Sequence, residues 1–409
     1  MSVRFIHTAD WHIGMGASHV SAVAEAVREA RFLTARRIME LAREERCDFV
    51  LIAGDLFDSN AVGDELVYRV LHILEEVAPT PIYILPGNHD LFSYDSIYQR
   101  KAFLDPPAHV HVLSEKTPVY ILDGTVALLP TPITQKRSEM DQMTNLPETP
   151  GAEYRIGVAH GSLRIEGKYQ ADDHPIALDA ATRGRLDYLA LGHWHSYMEV
   201  NDRTIMPGTP EPMRFGDDGG YVALVELRSQ EAIIEKVQVN TLTWLDHDWE
   251  LEHSADIIGA RGVWEPRLSE ETLLRLRVSG YSTSEMDGEL QELANWLKPR
   301  VLHLELDTAE LWPEVSEGEL QHLTAPHPFL TGMLSDLARL AEMADLQSGQ
   351  VAAGRDVGQT VDKPVDTIDS NTMDIVTLKR LLDEIDGDPV VIQHGIRTLA
   401  QLIREEVDT

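Results

Sequence analysis

A continuously apolar run that leads directly into a glycine and a carboxylate occupies residues 49–58, FVLIAGDLFD. A short apolar run bounded by such a turn is typical of a strand buried on both faces of a parallel sheet. Similar runs occupy residues 3–7, VRFIH, and residues 82–85, IYIL. Amphipathic stretches at residues 20–46 and 64–77 separate the three runs and predict helices. Because apolar runs alternate with helical stretches, the sequence predicts an α/β fold.

Further strands are predicted along the first 240 residues. The later β-type runs lie at residues 110–113, 119–122, 126–129, 155–159, 188–191, 204–206, 221–227 and 232–239. We expect the last three of them to be antiparallel strands that close a first domain.

The pattern changes after about residue 245. A strand at residues 273–278, a helix at 284–297 and a strand at 301–306 predict a β-α-β unit, and a further helix is expected at 329–345. Residues 347–373 have no apolar period, which indicates a linker. The sequence thus predicts four segments: a first domain at residues 1–240, a smaller α+β domain at 241–346, a linker at 347–373 and C-terminal helices at 374–409.

The composition excludes several classes of protein. Hydrophobic residues make up 43% of the 409 residues, so the chain can bury sizeable cores. Its single cysteine, Cys47, excludes an internal disulfide and a zinc site built from several thiolates. With 35 basic and 68 acidic residues, the net charge of −33 repels polyanions at long range. Bulk charge therefore gives no argument for nucleic-acid binding.

The sequence also bears on location. No stretch approaches 18 consecutive apolar residues, and residues 1–10 lack a basic segment followed by an apolar run. These features indicate neither a membrane span nor a secretory signal. We therefore expect a cytoplasmic protein without a membrane partner.

Five short polar segments each follow a predicted strand. They are DWH at residues 10–12, GDLFD at 54–58, GNHD at 87–90, HG at 160–161 and GHWH at 192–195. Because the carboxyl ends of strands in an α/β sheet meet at one crevice, residues far apart in sequence can share a site there. Carboxylate, amide and imidazole groups are hard or borderline metal ligands. Each segment alone is typical of a turn or helix cap, but five of them at strand ends favour a metal site.

The order of these segments resembles that of the calcineurin-like metallophosphoesterases, over residues 1 to about 215. HTADWH at residues 7–12, GDLFDS at 54–59 and PGTP at 207–210 are further similar to the SbcD-type nucleases of DNA double-strand-break repair. The β-α-β region after them resembles the capping domain of those nucleases. The resemblance implies a β-sandwich flanked by helices, with a smaller α+β capping domain.

The resemblance also implies two metal sites that share one carboxylate. One site is implied to consist of Asp10, His12, Asp55 and His195, and the other of Asp55, Asn88, His160 and His193. His89 is implied to supply a proton to the leaving sugar oxygen, and Asp90 is expected to orient His89. Asp58 is expected to support the site, although relatives often carry His at that position. Nitrogen and oxygen ligands without thiolate favour two Mn(II) ions, with Fe or Zn as alternatives.

Two functions stay open at this point. The first is a Mn-dependent DNA exonuclease and endonuclease of double-strand-break repair. The second is a small-molecule phosphatase or cyclic-nucleotide phosphodiesterase with the same metal site. The long region after the first domain favours the nuclease, because simple small-substrate enzymes of this superfamily need only that domain. The acidity of the chain argues mildly for the second function.

The resemblance implies two macromolecular partners. They are DNA, as ends or single strands, and an SbcC-like coiled-coil ATPase. Apolar residues at helical spacing in residues 375–385 and 392–403 predict two amphipathic faces that need a surface to cover them. That surface is either the ATPase or the chain's own capping domain, and a homodimer is left open.

Overall fold

The computed structural model describes residues 2–313, except Gln230 and Glu252. The helix predicted at residues 329–345, the linker at 347–373 and the helices at 374–409 lie outside the described residues. The chain divides into two compact units. The first comprises Met1–His247, Arg267–Leu276 and Trp296–Glu305, and the second comprises Asp248–Pro266, Arg277–Asn295 and residues from Leu306 onward.

The described residues form fifteen strands and six α-helices, interspersed with short 3₁₀ turns. In chain order they are β1 (Val3–Thr8), α1 (Ala24–Glu44), β2 (Phe49–Ala53), α2 (Asp64–Glu75), β3 (Ile82–Leu85), α3 (Lys101–Leu104), β4 (Val110–Val112), β5 (Val119–Ile121), β6 (Val126–Thr131), β7 (Tyr154–His160), α4 (Ala180–Arg183), β8 (Tyr188–Gly192), β9 (Met198–Asn201), β10 (Thr204–Met206), β11 (Tyr221–Arg228), β12 (Glu231–Gln238), β13 (Thr243–Leu251), α5 (Ser254–Trp264), β14 (Thr272–Ser282), α6 (Ser284–Leu297) and β15 (His303–Pro313). The α/β fold predicted from the sequence is confirmed.

Two six-stranded sheets make up most of the first unit. One has the order β12-β11-β1-β2-β3-β4, in which β1 to β4 are parallel and β11 is antiparallel to both of its neighbours. The other has the order β5-β6-β7-β8-β10-β9, with parallel central strands and antiparallel strands at both edges. The carboxyl ends of β1, β2, β3, β7 and β8 carry the five polar segments singled out in the sequence.

The alternation of side chains along β2 shows why this strand is apolar throughout. Phe49 and Leu51 lie in a core cluster shared with strands of the second sheet, such as Ile156 and Tyr188. The intervening Val50 belongs to a different cluster, formed with helices α1 and α2. Both faces of the first sheet are therefore covered, one by the second sheet and one by helices. Such double burial requires an apolar residue at every position of the strand.

The prediction for the strands at the end of the first domain holds only in part. Residues 204–206, 221–227 and 232–239 were all expected to be antiparallel strands. The first of them, β10, is antiparallel to β9 but parallel to β8 in the second sheet, whereas β11 and β12 form an antiparallel pair in the first sheet. The strand β9 and the strand-helix pair β13 and α5 were not predicted from the sequence.

A third sheet has the order β13-β14-β15. Its last two strands flank α6, so the predicted β-α-β unit is present, and α6 has the predicted bounds. The segment boundaries predicted at residues 240, 346 and 373 stay predictions. No helix among the described residues is long and apolar enough to span a membrane.

Candidate metal centre

The seven predicted ligands come from the carboxyl ends of strands in both sheets. Those after β1, β2 and β3 are Asp10, His12, Asp55 and Asn88, and those at the ends of β7 and β8 are His160, His193 and His195. Hydrogen bonds and short ionic contacts connect all seven. The structure thus brings together every residue that the sequence predicted as a ligand.

Unusual backbone conformations place several of these side chains. Asp10, His12 and Asp55 have φ angles of 55°, 45° and 52°, in the left-handed region that side chains other than glycine seldom adopt. Two hydrogen bonds hold this geometry, because the amide of Asp10 donates to the carbonyl of Gly54 and the amide of His12 donates to the carbonyl of Asp55, both at 3.0 Å. Such strain costs about 1–3 kcal/mol per residue and clusters at functional sites.

Gly87 is required where the chain passes Asp55. A Cβ atom at Gly87 would lie 2.1 Å from the Asp55 carboxylate oxygen Oδ1. A Cβ atom at Gly54 would likewise lie 2.0 Å from Nδ1 of His160. These distances are far below van der Waals contact, so the two glycines allow the polar segments to approach each other closely.

The first donor group consists of Asp10, His12, His195 and Asp55. The Nε2 atoms of His12 and His195 lie 3.2 Å apart. The carboxylates of Asp10 and Asp55 lie 4.0 Å and 3.8 Å from Nε2 of His12. Nε2 of His12 therefore has one imidazole nitrogen and two carboxylate oxygens within 4.0 Å.

The second donor group consists of Asp55, Asn88, His160 and His193. Oδ1 of Asn88 lies 2.9 Å from Nε2 of His160 and also 2.9 Å from Nδ1 of His193. Oδ2 of Asp55 lies 3.3 Å from Nε2 of His160. The same Asp55 oxygen takes part in the first donor group, so Asp55 lies between the two groups.

Hydrogen bonds on the outer side of two imidazoles select which nitrogen faces the centre. Nδ1 of His160 lies 2.9 Å from the carbonyl oxygen of Ala53, and Nε2 of His193 lies 2.8 Å from the Asp173 carboxylate. Both oxygens are acceptors, so these nitrogens carry hydrogens. Nε2 of His160 and Nδ1 of His193 then face Asn88 with their lone pairs available to a cation.

The electrostatics of the centre follow from burial and crowded charge. Burial raises the pKa of Asp10, and burial together with nearby His12 lowers the pKa of His195 to about 3. Burial also disfavours charge on His160, but the Asp55 carboxylate outweighs it and raises the pKa of His160 to about 10. Protonated His160 therefore places positive charge next to the Asp55 carboxylate. A divalent cation can supply that positive charge instead, because it displaces the proton from the imidazole.

The donor set fits divalent cations. The triads Asp10-His12-His195 and Asp10-Asp55-His160 each have ligand atoms within 4.8 Å of one another. Nδ1 of His12 is buried and faces the Asp58 carboxylate at 3.6 Å, beyond hydrogen-bond distance, while its Nε2 atom faces the donor group. Oxygen and imidazole donors without thiolate suit Mn, Fe or Zn. The identity of the metal stays a prediction.

His89 lies beside the centre and is half exposed. Its amide donates to Oδ1 of Asp55 at 2.9 Å, and its Nδ1 atom lies 2.9 Å from the carbonyl oxygen of Asp58. The carbonyl fixes a hydrogen on Nδ1, so Nε2 is the ring atom that can give or take a proton. The Asp58 carboxylate lies 3.7 Å from His89 and 3.6 Å from Nδ1 of His12. Asp58 therefore lies between a predicted ligand and the predicted acid.

The expected pairing of Asp90 with His89 is wrong. The buried Asp90 carboxylate accepts hydrogen bonds from the amides of Phe57 and Gly87, at 3.0 Å and 2.8 Å, and from the hydroxyl of Tyr98, at 2.6 Å. These bonds join the loops after β2 and β3. Asp90 therefore positions the backbone around Asp55, while Asp58 and the ring of His12 contact the His89 ring.

Asp173 is a site residue that the sequence reasoning missed. Its carboxylate accepts hydrogen bonds from Nε2 of His193, at 2.8 Å, and from the hydroxyl of Ser162, at 2.5 Å. Asp173 lies in an irregular loop between β7 and α4, where neither periodicity nor a motif marks it. The adjacent pair Asp172 and Asp173 is the only signal in the sequence, and it does not show which of the two faces inward.

Comparisons with known proteins agree with this geometry. Residues 3–197 match the sequence model of the family described as calcineurin-like phosphoesterase. The chain is similar to the uncharacterized metallophosphoesterase YhaO of Bacillus subtilis (strain 168), with 24% identity over 384 residues, which are 85% of this chain and 90% of that protein.

Two named repair proteins are also similar to parts of the chain. The SbcD component of the nuclease SbcCD of Bacillus subtilis is 33% identical over 94 residues, which are 22% of each chain. The DNA double-strand break repair protein Mre11 of Methanopyrus kandleri is 27% identical over 234 residues, which are 52% of this chain and 50% of that protein. These two matches span half or less of those proteins. The chain therefore carries a calcineurin-like metallophosphoesterase domain.

Proposed function

We propose that this protein is a two-metal phosphodiesterase that acts on DNA as an exonuclease and endonuclease. The observation that carries the proposal is the convergence of seven donor residues into two groups that share Asp55. Family membership of the first domain and this donor set support a metal-dependent phosphoester hydrolase. Action on DNA rather than on small phosphoesters is proposed from the similarity to two named repair proteins.

Each part of the centre has a task in phosphodiester hydrolysis. The chemistry that a bound pair of divalent cations supplies is Lewis acidity toward the phosphodiester and the attacking water. Asp55 would hold both cations. Asp10, His12 and His195 would complete the site of one cation, and Asn88, His160 and His193 would complete the site of the other. Nε2 of His89 can deliver a proton to the departing sugar oxygen, because its Nδ1 hydrogen is already committed to Asp58. Asp58 would steady that ring.

Similarity to the SbcD component of SbcCD and to Mre11 supports a polymeric DNA substrate. The same similarity supports a role in double-strand-break repair and an SbcC-like ATPase as partner. Mn(II) is proposed as the metal because the donors are carboxylate, amide and imidazole groups without thiolate. An ATPase partner would supply phosphate contacts that a chain of charge −33 lacks. We place its docking site in residues 374–409, the capping domain in residues 241–346 and the protein in the cytoplasm.

An assay on three substrates tests this proposal. The full chain with Mn²⁺ is incubated with blunt double-stranded DNA, single-stranded hairpins and bis-p-nitrophenyl phosphate, with Fe²⁺ and Zn²⁺ in parallel. We expect cleavage of DNA, and its loss in Asp55→Ala. The matched control is His72→Ala, an exposed histidine on α2 outside the centre. Cleavage of the small ester alone would overturn the DNA substrate and favour a small-molecule phosphatase or cyclic-nucleotide phosphodiesterase.

A further inference from the structure

A cavity of about 590 Å³ adjoins the candidate metal centre within the first compact unit. The predicted ligand His195 forms part of its wall, and other lining residues are Met15, His19, Met213, Arg214 and Phe215. The volume lies within the usual range of small-molecule sites, about 300–1,000 Å³. Because His195 belongs both to this wall and to the first donor group, a molecule in the cavity lies next to whatever the centre holds.

Neighbouring side chains pack against the aromatic rings that line the cavity and hold them in place. The Phe215 ring meets Trp244 edge to face, with the ring centroids 4.9 Å apart. Trp244 in turn stacks on His19 at 5.9 Å, with an angle of 26° between the ring planes. The guanidinium of Arg275 covers Phe215 at 4.6 Å and is held by two hydrogen bonds to Asp246, at 2.9 Å and 2.7 Å. These contacts hold the rings in place before any ligand arrives.

A second part of the cavity lining is tied to the metal centre. The amide of Met15 donates to the carbonyl of His12 at 3.1 Å, so Met15 lies in the turn that follows a predicted ligand. The buried guanidinium of Arg31 donates to the carbonyl of Met15 at 2.8 Å. A lining residue of the cavity and the predicted ligand His12 therefore belong to the same turn.

The charged side chains of the cavity do not favour binding of a phosphate group in addition to one at the metal centre. Its guanidinium groups already have carboxylate partners, since Arg214 pairs with Asp217 at 3.0 Å and Arg275 pairs with Asp246. The acidic residue Glu305 also lines the cavity. Methionine and aromatic side chains, by contrast, offer polarisable surface to a flat ring.

We propose that this cavity binds the nucleobase of the nucleotide whose phosphate lies at the metal centre. The inference rests on the proposed function and adds a subsite that reads an aromatic ring. Stacking on a fixed aromatic wall accepts any base, because every base has a π face. Arg214 and His19 at the rim add hydrogen-bond donors for the base edge. A phosphodiester of a simple aliphatic alcohol would leave the cavity unfilled.

Calorimetric binding of two monoesters tests the subsite. The full chain loaded with Mn²⁺ is titrated with deoxyadenosine 5′-monophosphate and with deoxyribose 5-phosphate, which lacks the base. We expect the nucleotide to bind roughly tenfold to a hundredfold more tightly, as stacking of one base implies. Phe215→Ala should abolish most of this difference and leave the affinity for deoxyribose 5-phosphate unchanged.

Two further variants keep the test decisive. Phe215 is 8% exposed and supports Trp244, so a second variant, His19→Ala, removes an exposed wall residue without opening the core. The matched control is Tyr68→Ala, a half-exposed aromatic residue on α2 outside the cavity. Selectivity for the nucleotide should fall in His19→Ala and persist in Tyr68→Ala.

The outcomes separate the subsite from the proposed function. Equal affinity for both ligands in the unmodified chain, or no binding of either, would overturn the subsite whether or not DNA is cleaved. Retained selectivity in both Phe215→Ala and His19→Ala would also overturn it. Selective nucleotide binding by a chain that cleaves no DNA would support the subsite and refute the nuclease.

Discussion

Replacing Asp173 with alanine should weaken metal binding without touching a ligand. The Asp173 carboxylate holds Nε2 of His193 at 2.8 Å and is itself held by Ser162 at 2.5 Å. Without it, the His193 ring can turn and its hydrogen can move to Nδ1, the atom that faces Asn88. Loss of such an outer partner usually reduces metal affinity or activity by about 10- to 100-fold. That range corresponds to roughly 1.4–2.7 kcal/mol of binding free energy.

Titration calorimetry with Mn²⁺ measures this effect directly. The neighbouring Asp172→Ala is a matched control, because Asp172 is partly exposed and pairs with Arg137 at 2.6 Å rather than with His193. Asp173→Asn keeps one acceptor oxygen for the two donors, His193 and Ser162. The affinity of this variant for Mn²⁺ should therefore lie between that of the unmodified chain and that of Asp173→Ala. Unchanged metal affinity in Asp173→Ala, or an equal loss in Asp172→Ala, would refute the orienting role.

Three further predictions concern the centre and the core. Asp55→Ala should lose most bound metal, because Asp55 belongs to both donor groups, and two equivalents retained by elemental analysis would contradict its bridging position. His89→Gln should keep its metals while turnover falls roughly 10²- to 10⁴-fold, and loss of metal would show that His89 is a ligand. Phe49→Ala should lower the free energy of unfolding by about 3–5 kcal/mol, because Phe49 is fully buried and stacks on Phe5 with the ring centroids 4.6 Å apart. Denaturant titration measures this change, and a loss below about 1 kcal/mol would contradict the place of Phe49 in the core.

The sequence predicted the elements whose hydrophobic pattern identifies them without reference to the rest of the fold. The strand β2 and the helix α6 have the predicted bounds, because the first is apolar throughout and ends at glycine while the second keeps helical spacing. Strand pairing was harder to predict. A three-residue strand such as β10 carries no information about direction, and its parallel partner β8 is fixed by the rest of the second sheet.

In the candidate site, too, the sequence predicted some features and not others. The predicted ligands lie close together because each is at or just after the carboxyl end of a strand, and strand ends of an α/β sheet converge. The partner of His89 could not be read from its neighbour in sequence, since residues 88–90 form a bend after β3, where no periodicity predicts the direction of a side chain. Asp90 accordingly faces Tyr98 and the loop amides, while Asp58, from another loop, contacts His89. Asp173 reaches His193 only through the path of an irregular loop, which no local pattern encodes.

The centre takes its donors from both sheets, so its geometry depends on how the sheets are joined. Buried His7 on β1 bridges them, with Nδ1 lying 2.9 Å from the Tyr188 hydroxyl and Nε2 lying 3.1 Å from the carbonyl of Leu191 on β8. Burial lowers the pKa of His7 to about 3, so the ring stays neutral and has one donor and one acceptor nitrogen. The Leu191 carbonyl requires the hydrogen on Nε2, which leaves Nδ1 to accept from Tyr188. This bridge ends two residues before His193 and three before Asp10, so it sets the spacing of the strand ends that carry the metal donors.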